Sequence, residues 1–173
     1  GPAYAEWRAS YQPFHWFVEF YGIMNGGGFD VIIGNPPYVE FRLVCGTYRL
    51  PQGQYASEPA GNLYGFCMER SSRLLVRSGW FGMIVPTGVL GLDETVTLRE
   101  VLLGCFTDSW CSTYAIRPSK LFDGVDQRLC IYLGYRGDDG QQRIWTTRYQ
   151  HWNADERPAL FPRIQYCRSF NYA

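Results

Sequence analysis

Lysine is almost absent from this chain: of sixteen basic residues one is Lys120 and the others are arginine. A nucleotide-binding P-loop needs Gly-Lys-Ser/Thr, but Lys120 lies between Ser119 and Leu121, so ATP hydrolysis of that kind is excluded. Long apolar runs are missing too. The most apolar uncharged stretch, 79–92, is broken by Gly82, Pro86 and Gly88 and is too short to cross a bilayer. Glu6, Arg8 and Glu19 interrupt the region where a secretory leader would lie, so a cytoplasmic location is expected. The six cysteines, at 45, 67, 105, 111, 130 and 167, contain no Cys-x-x-Cys pair, and His15 and His151 stand outside metal-motif spacing. No metal site is expected. Gly26-Gly27-Gly28 precedes a strand instead of joining a strand to a helix, and reads as a flexible connector, not a cofactor loop.

Net charge is also lacking. Sixteen acidic side chains offset the sixteen basic ones, so no overall field draws the chain onto a polyanion or an anionic membrane, and any nucleic-acid contact must be local. Residues 1–116 carry seven basic and ten acidic groups, and 117–173 carry nine and six, which makes the end of the chain its mildly positive part. The arginine excess suits forked phosphate contacts, and genome composition bias produces the same ratio. What the sequence does have is apolar and aromatic side chains, 46% and 17% of 173 residues, enough for one globular domain or a large piece of one.

Residues 29–34, FDVIIG, form a β-branched run bounded by turn residues and predict a buried strand of a parallel sheet. Residues 41–61 lack periodicity and predict a lid or a disordered connection. Asn62 caps a helix with Leu63, Phe66, Cys67, Leu74 and Leu75 on one face and Glu69, Arg70, Arg73 and Arg77 on the other, ending near Gly79. A buried strand at 80–85 follows, then a second helix capped by Asp93, running to Leu103 and stopped by Gly104. Strands are predicted at 110–116 and 129–135, with one more near 144–147. This alternation argues for an open α/β sheet whose ligands bind beyond the carboxyl ends of the strands, at 34–40 and 86–92.

Asn35-Pro36-Pro37-Tyr38 leaves the first of these strands. Two prolines fix φ and remove amide hydrogens, so the Asn35 side chain and the Pro36 carbonyl are offered as acceptors with little entropy left to lose. An amino group conjugated to a π system is a poor nucleophile. Two acceptors on its N–H bonds pull the nitrogen toward a tetrahedral shape and aim its lone pair, which is electrostatic preorganisation. Tyr38 adds a face on which a planar base can stack, a contact of about 1–3 kcal/mol. The plain alternative is a rigid turn; the position after a buried strand, with Gly34 allowing close backbone approach, favours chemistry.

FDVIIGNPPYVEF resembles the catalytic motif of the amino-group methyltransferases, and the wider chain resembles the adenine-specific (N6) DNA methyltransferases of the type IIG restriction-modification group. HWFVEF at 15–20, NLYGFCMERSSRLL, GWFGMIVPTGVL, LFDGVDQRLCIYLGY and TTRYQHWNADERPALFPRIQY resemble family segments in family order. The resemblance implies that Asn35 and Pro36 accept hydrogen bonds from the target amino group and that Tyr38 stacks on a flipped adenine. Gly34, Pro37 and Phe122 are then substrate-binding positions, with Phe122 a second aromatic contact to the base. It implies S-adenosylmethionine as methyl donor and double-stranded DNA as partner. The family's Phe-x-Gly-x-Gly donor motif has no counterpart upstream of Asn35, where 34 residues are too few for three strand-and-helix units of about 30 residues each.

The implied fold is therefore a partial Rossmann-like methyltransferase sheet: carboxyl-side strands with an antiparallel last strand, the donor-binding strands missing. Its division is a lead-in at 1–28, the carboxyl-side part of the catalytic domain at 29–136, and an extension toward target recognition at 137–173. Cofactor-binding residues within the chain are not assigned, and a donor-binding half on another chain is a candidate partner. A protein glutamine N5-methyltransferase fragment and a non-catalytic remnant or complementing subunit share the pattern and stay open. Asp123 with Asp126, and Asp138 with Asp139, sit in polar turns and read as solvated carboxylates. Ser71 and Ser72 lie in a helix, away from any nucleophile elbow.

Overall fold

The structure is a computed structural model that describes residues 2–11, 14–46, 50 and 53–169. Helices α1 (Pro2–Tyr11), α2 (Trp16–Glu19) and α3 (Tyr21–Asn25) lead into β1 (Phe29–Gly34), followed by α4 (Leu63–Arg73), β2 (Leu75–Pro86) and α5 (Val96–Cys105). Strands β3 (Asp108–Tyr114), β4 (Leu129–Tyr135) and β5 (Arg143–Thr146), helix α6 (Arg157–Leu160) and β6 (Cys167–Arg168) complete the chain. The strands form one sheet in the order β1-β2-β4-β3-β5-β6. β1 runs parallel to β2 and β3 to β5, while β4 lies antiparallel between β2 and β3. The expected α/β sheet with a late antiparallel strand is present, and that strand is inserted inside the sheet. None of the described helices is long and apolar enough to cross a membrane.

One sheet face is packed by α4 and α5. Phe81, Met83 and Val85 of β2, Cys130 and Tyr132 of β4 and Cys111 of β3 meet Met68, Leu98 and Leu102 there. On the opposite face the segment 152–164 covers only the carboxyl end, where Trp152, Leu160 and Ile164 pack with Tyr114, Leu129 and Ile84. The rest of that face is more open: Trp80 is 47% exposed, stacks on Trp110 and meets Tyr135 at a tilt, while Val31 and Ile33 are 55% and 79% exposed. β1 is thus parallel as expected but not buried: among the described residues no strand pairs its outer edge, and the rings of Trp16 and Phe20 cover Phe29 but leave Val31 and Ile33 exposed.

Helix α4 stops at Arg73, not near Gly79, and Leu75 belongs to β2, where it pairs with Phe29. Gly79 marks a bulge instead: Ser78 has φ 62° and a Cβ on Gly79 would lie 2.9 Å from the Val76 carbonyl. Gly28 closes the turn into β1 with φ 127°, and a Cβ there would lie 2.2 Å from the Leu74 carbonyl. Of the glycine triplet, Gly28 is thus tightly packed, while Gly26 and Gly27 are exposed. Asp93 opens a 3-10 turn instead of capping a helix; α5 starts at Val96, and Gly104 lies inside it. The Thr95 hydroxyl ends this turn by donating to the Leu92 carbonyl at 2.8 Å. β3 runs 108–114, not 110–116, because Asp108 already pairs with Tyr135 and Arg143.

Arg143 ties β5 to β3. Its Nε and Nη2 each donate to an oxygen of Asp108 at 2.6 Å, and Nη1 donates to Asp139 at 2.6 Å. These Arg143 hydrogen bonds hold the Asp108 carboxyl below its usual range. A carboxylate depressed in the folded state stabilises the fold above its unfolded pKa and loses that contribution as pH falls. Urea melts of the chain should show the midpoint dropping as pH is lowered through about 4. Arg143→Met should be less stable at neutral pH and should flatten that acid slope. Parallel slopes in the two proteins would count against the pairing.

Candidate active site

Parallel pairing places the carboxyl ends of β1 and β2 side by side, with Gly34 opposite Met83. Asn35-Pro36-Pro37-Tyr38 leaves one strand and the turn Thr87–Leu90 leaves the other. Asn35 and Pro37 are exposed and Pro36 is buried, so the diproline hinge is anchored on one side and presents Asn35 on the other. Gly34 is open, with no heavy atom within 4 Å of a Cβ placed on it. Tyr38 is half-buried, and its hydroxyl lies 2.6 Å from Asn35 Oδ1 and 2.9 Å from the Ile84 carbonyl of β2. Burial pushes the Tyr38 phenol up, so it stays protonated.

Phe122 arrives from the loop between β3 and β4. Tyr38 and Phe122 pack against one cluster, made by Tyr114, Leu121, Leu129, Trp152 and Leu160. The structure therefore brings Asn35, Pro36, Tyr38 and Phe122 to the same end of the sheet. Burial also raises the Tyr114 phenol to about 12, a neutral core group held by Ser112. Two residues that sequence reasoning did not single out fix the Phe122 loop. Trp152 is 1% exposed in its support, and Arg157 donates to the Leu121 carbonyl at 2.6 Å. The signal for Trp152 was a lone tryptophan in a polar stretch; Arg157 had none. An open pocket of about 660 Å³ adjoins this loop, lined by Arg117, Lys120, Asp123, Asp126, Trp152 and Arg157. Asp126 pairs with Lys120 at 2.8 Å, Asp139 with Arg143, and Asp138 with Arg77 at 3.6 Å, so these carboxylates are surface ion pairs. Among the described residues no cluster of His, Cys, Asp and Glu could hold a metal ion.

The described parts of the connection after the site carry local structure. Residues 47–49 and 51–52 lie outside the described residues; around them, Glu40 bridges to Asn62 and 3-10 turns form at Phe41–Leu43 and Glu58–Ala60. The organiser is Glu69, which helical periodicity had assigned to the solvent face. It is fully buried and accepts from the Ala56 and Ser57 amides at 3.1 and 2.8 Å, while Arg73 neutralises it. Asn62 caps α4 as expected, accepting from the Tyr64 amide at 3.4 Å. Glu69→Ala should strand both amides, cost about 2–3 kcal/mol, and free residues 53–61. Hydrogen exchange at Ala56 and Ser57 that stays as slow as in the wild type would remove Glu69 as their anchor.

The profile described as "Eco57I restriction-modification methylase" matches residues 4–111. A "putative type II restriction enzyme and methyltransferase RM.MjaORFECS2P" of Methanocaldococcus jannaschii is 31% identical over 122 residues, which is 70% of this chain and 10% of that protein. The "type II methyltransferase M.TthHB8I" of Thermus thermophilus is 35% identical, over 44% of this chain and 20% of its own length. Among solved structures, the DrdV–DNA complex superposes with a TM-score of 0.62 at 16% identity, covering 87% of this chain and 18% of that one, which shows the fold. The chain thus spans between a tenth and a fifth of these three proteins.

Proposed function

Since the chain belongs to the Eco57I restriction-modification methylase family, we propose that it is the carboxyl-side part of a DNA adenine-N6 methyltransferase, with Asn35 and Pro36 as the acceptors for the target amino group. The observation that carries this reading is the Asn35 carboxamide, exposed beside a buried Pro36 at the mouth of two parallel strands. One N–H of an extruded adenine donates to Asn35 Oδ1 and the other to the Pro36 carbonyl, which raises electron density on the nitrogen without a general base. Tyr38 and Phe122, seated on one hydrophobic cluster, offer faces to the flipped base, and open space above Gly34 admits it. Gly34 and Pro37 shape that entrance. An amide of protein glutamine presents the same electronics; the aromatic pair favours a planar base. DNA in the cytoplasm is the proposed substrate, and 29–136 and 137–173 are the proposed catalytic part and its extension, with the lead-in before them.

S-adenosylmethionine is the methyl donor of this reading, with its pocket proposed to lie mostly outside this chain. The glycine triplet that could cradle it is filled by the Leu74 carbonyl against Gly28. The open edge and outer face of β1, with Val31, Ile33 and Trp80, are where a donor-binding half docks under this reading. The 173-residue chain alone should then show no methyl transfer, and tight binding of S-adenosylmethionine in isothermal titration would refute that. Joined to a donor-binding half, it should methylate duplex DNA, and Asn35→Ala should lower kcat by about 10²–10³-fold. Methylation that survives Asn35→Ala removes the assigned role.

A further inference from the structure

The Tyr38 hydroxyl stands between two oxygens, Asn35 Oδ1 at 2.6 Å and the Ile84 carbonyl at 2.9 Å. A phenol carries one hydrogen, so these acceptors share it. One end of the bridge is rigid: Ile84 lies within β2 and pairs with Ile131 of β4. The other end is not. Asn35 is exposed, and among the described residues the phenol is the sole hydrogen-bond partner of its side chain. Without that partner an exposed asparagine samples its rotamers and turns its amide over, and the acceptor loses its aim. A carboxamide oxygen has two lone pairs; Tyr38 engages one and leaves the second free.

We propose that Tyr38 is a positioning residue whose hydroxyl clamps the Asn35 carboxamide to the end of β2, holding one acceptor lone pair outward for an incoming amino hydrogen. The proposal rests on the amino-group reading above and extends it by giving ring and hydroxyl separate tasks, the ring a stacking face and the hydroxyl the aim of Asn35. A phenylalanine at this position keeps the first task and loses the second.

The test follows the Asn35 side-chain carboxamide by NMR in the ¹⁵N-labelled 173-residue chain, with adenosine as probe and N6,N6-dimethyladenosine, which has no amino hydrogens, as control. Asn35→Ala assigns the signal. In the wild type the two amide protons should be displaced from those of a free asparagine and should respond to adenosine alone. In Tyr38→Phe they should move to free-asparagine positions, and adenosine should bind about fivefold more weakly. Should that variant fail to fold, 3-fluorotyrosine at position 38, a stronger donor that keeps the hydroxyl, should shift the Asn35 signals further from the free values. Asn35 resonances unchanged in Tyr38→Phe, or a released carboxamide with undiminished adenosine affinity, overturn the proposal. A clamp that is lost in Tyr38→Phe in a wild type that ignores adenosine supports the clamp and sinks the amino-group reading instead.

Discussion

Parallel pairing of β1 with β2 is the constraint on which the rest depends. It sets Gly34 beside Met83, so the chain that leaves β1 turns back across the end of β2 and Tyr38 meets the Ile84 carbonyl. The register is set far from the site. Gly28 lies against Leu74, and the bulge at Ser78 and Gly79 absorbs the shift between Phe29 and Val31. A one-residue slip of β1 would exchange its faces, take Ile32 away from the helix-side core and carry Tyr38 off the Ile84 carbonyl. Acceptor geometry at Asn35 is thus fixed by glycines whose own chemistry is nil.

The candidate site could be proposed from the sequence because its elements are local: a β-branched run, two prolines and a tyrosine occupy ten consecutive residues, 29–38, and each carries a stated preference. Strand β4 was legible to the residue because its apolar run ends at polar turns on both sides. What failed depended on contacts between distant segments. Leu74 and Leu75 fit helical spacing equally well, and only pairing with Phe29 moves Leu75 into β2. Glu69 fits the polar face by period, yet amides of Ala56 and Ser57, thirteen and twelve residues earlier, need a carboxylate inside. Arg157 belongs to the Phe122 loop through two carbonyls thirty-six and thirty-seven residues upstream, which no local pattern encodes.

Sheet insertion explains how a segment so late in the chain reaches the site. β4 enters antiparallel between β2 and β3, so its first residue, Leu129, lies at the carboxyl ends of both, opposite Pro86 and Tyr114. The loop that precedes it must therefore cross the same end of the sheet from which Asn35 emerges. Trp152 and Leu160, buried under that loop, place the terminal part of the chain within the same hydrophobic cluster as Tyr38. Residues 152–164 and the surface that carries Tyr38 and Phe122 therefore share one hydrophobic cluster.

The groups assembled at this end carry no charge of their own. Asn35 and the Pro36 carbonyl are neutral, and Tyr38 is kept protonated by burial. Under the proposed reading, these neutral acceptors meet an amino group that is itself neutral. Their weakness is that a neutral dipole acts only when aimed, since its interaction falls away with angle where that of a charge does not. Stiffness is the remedy, and each part of the site supplies some: prolines at 36 and 37, a buried Pro36 ring, and a phenol tied to a sheet carbonyl.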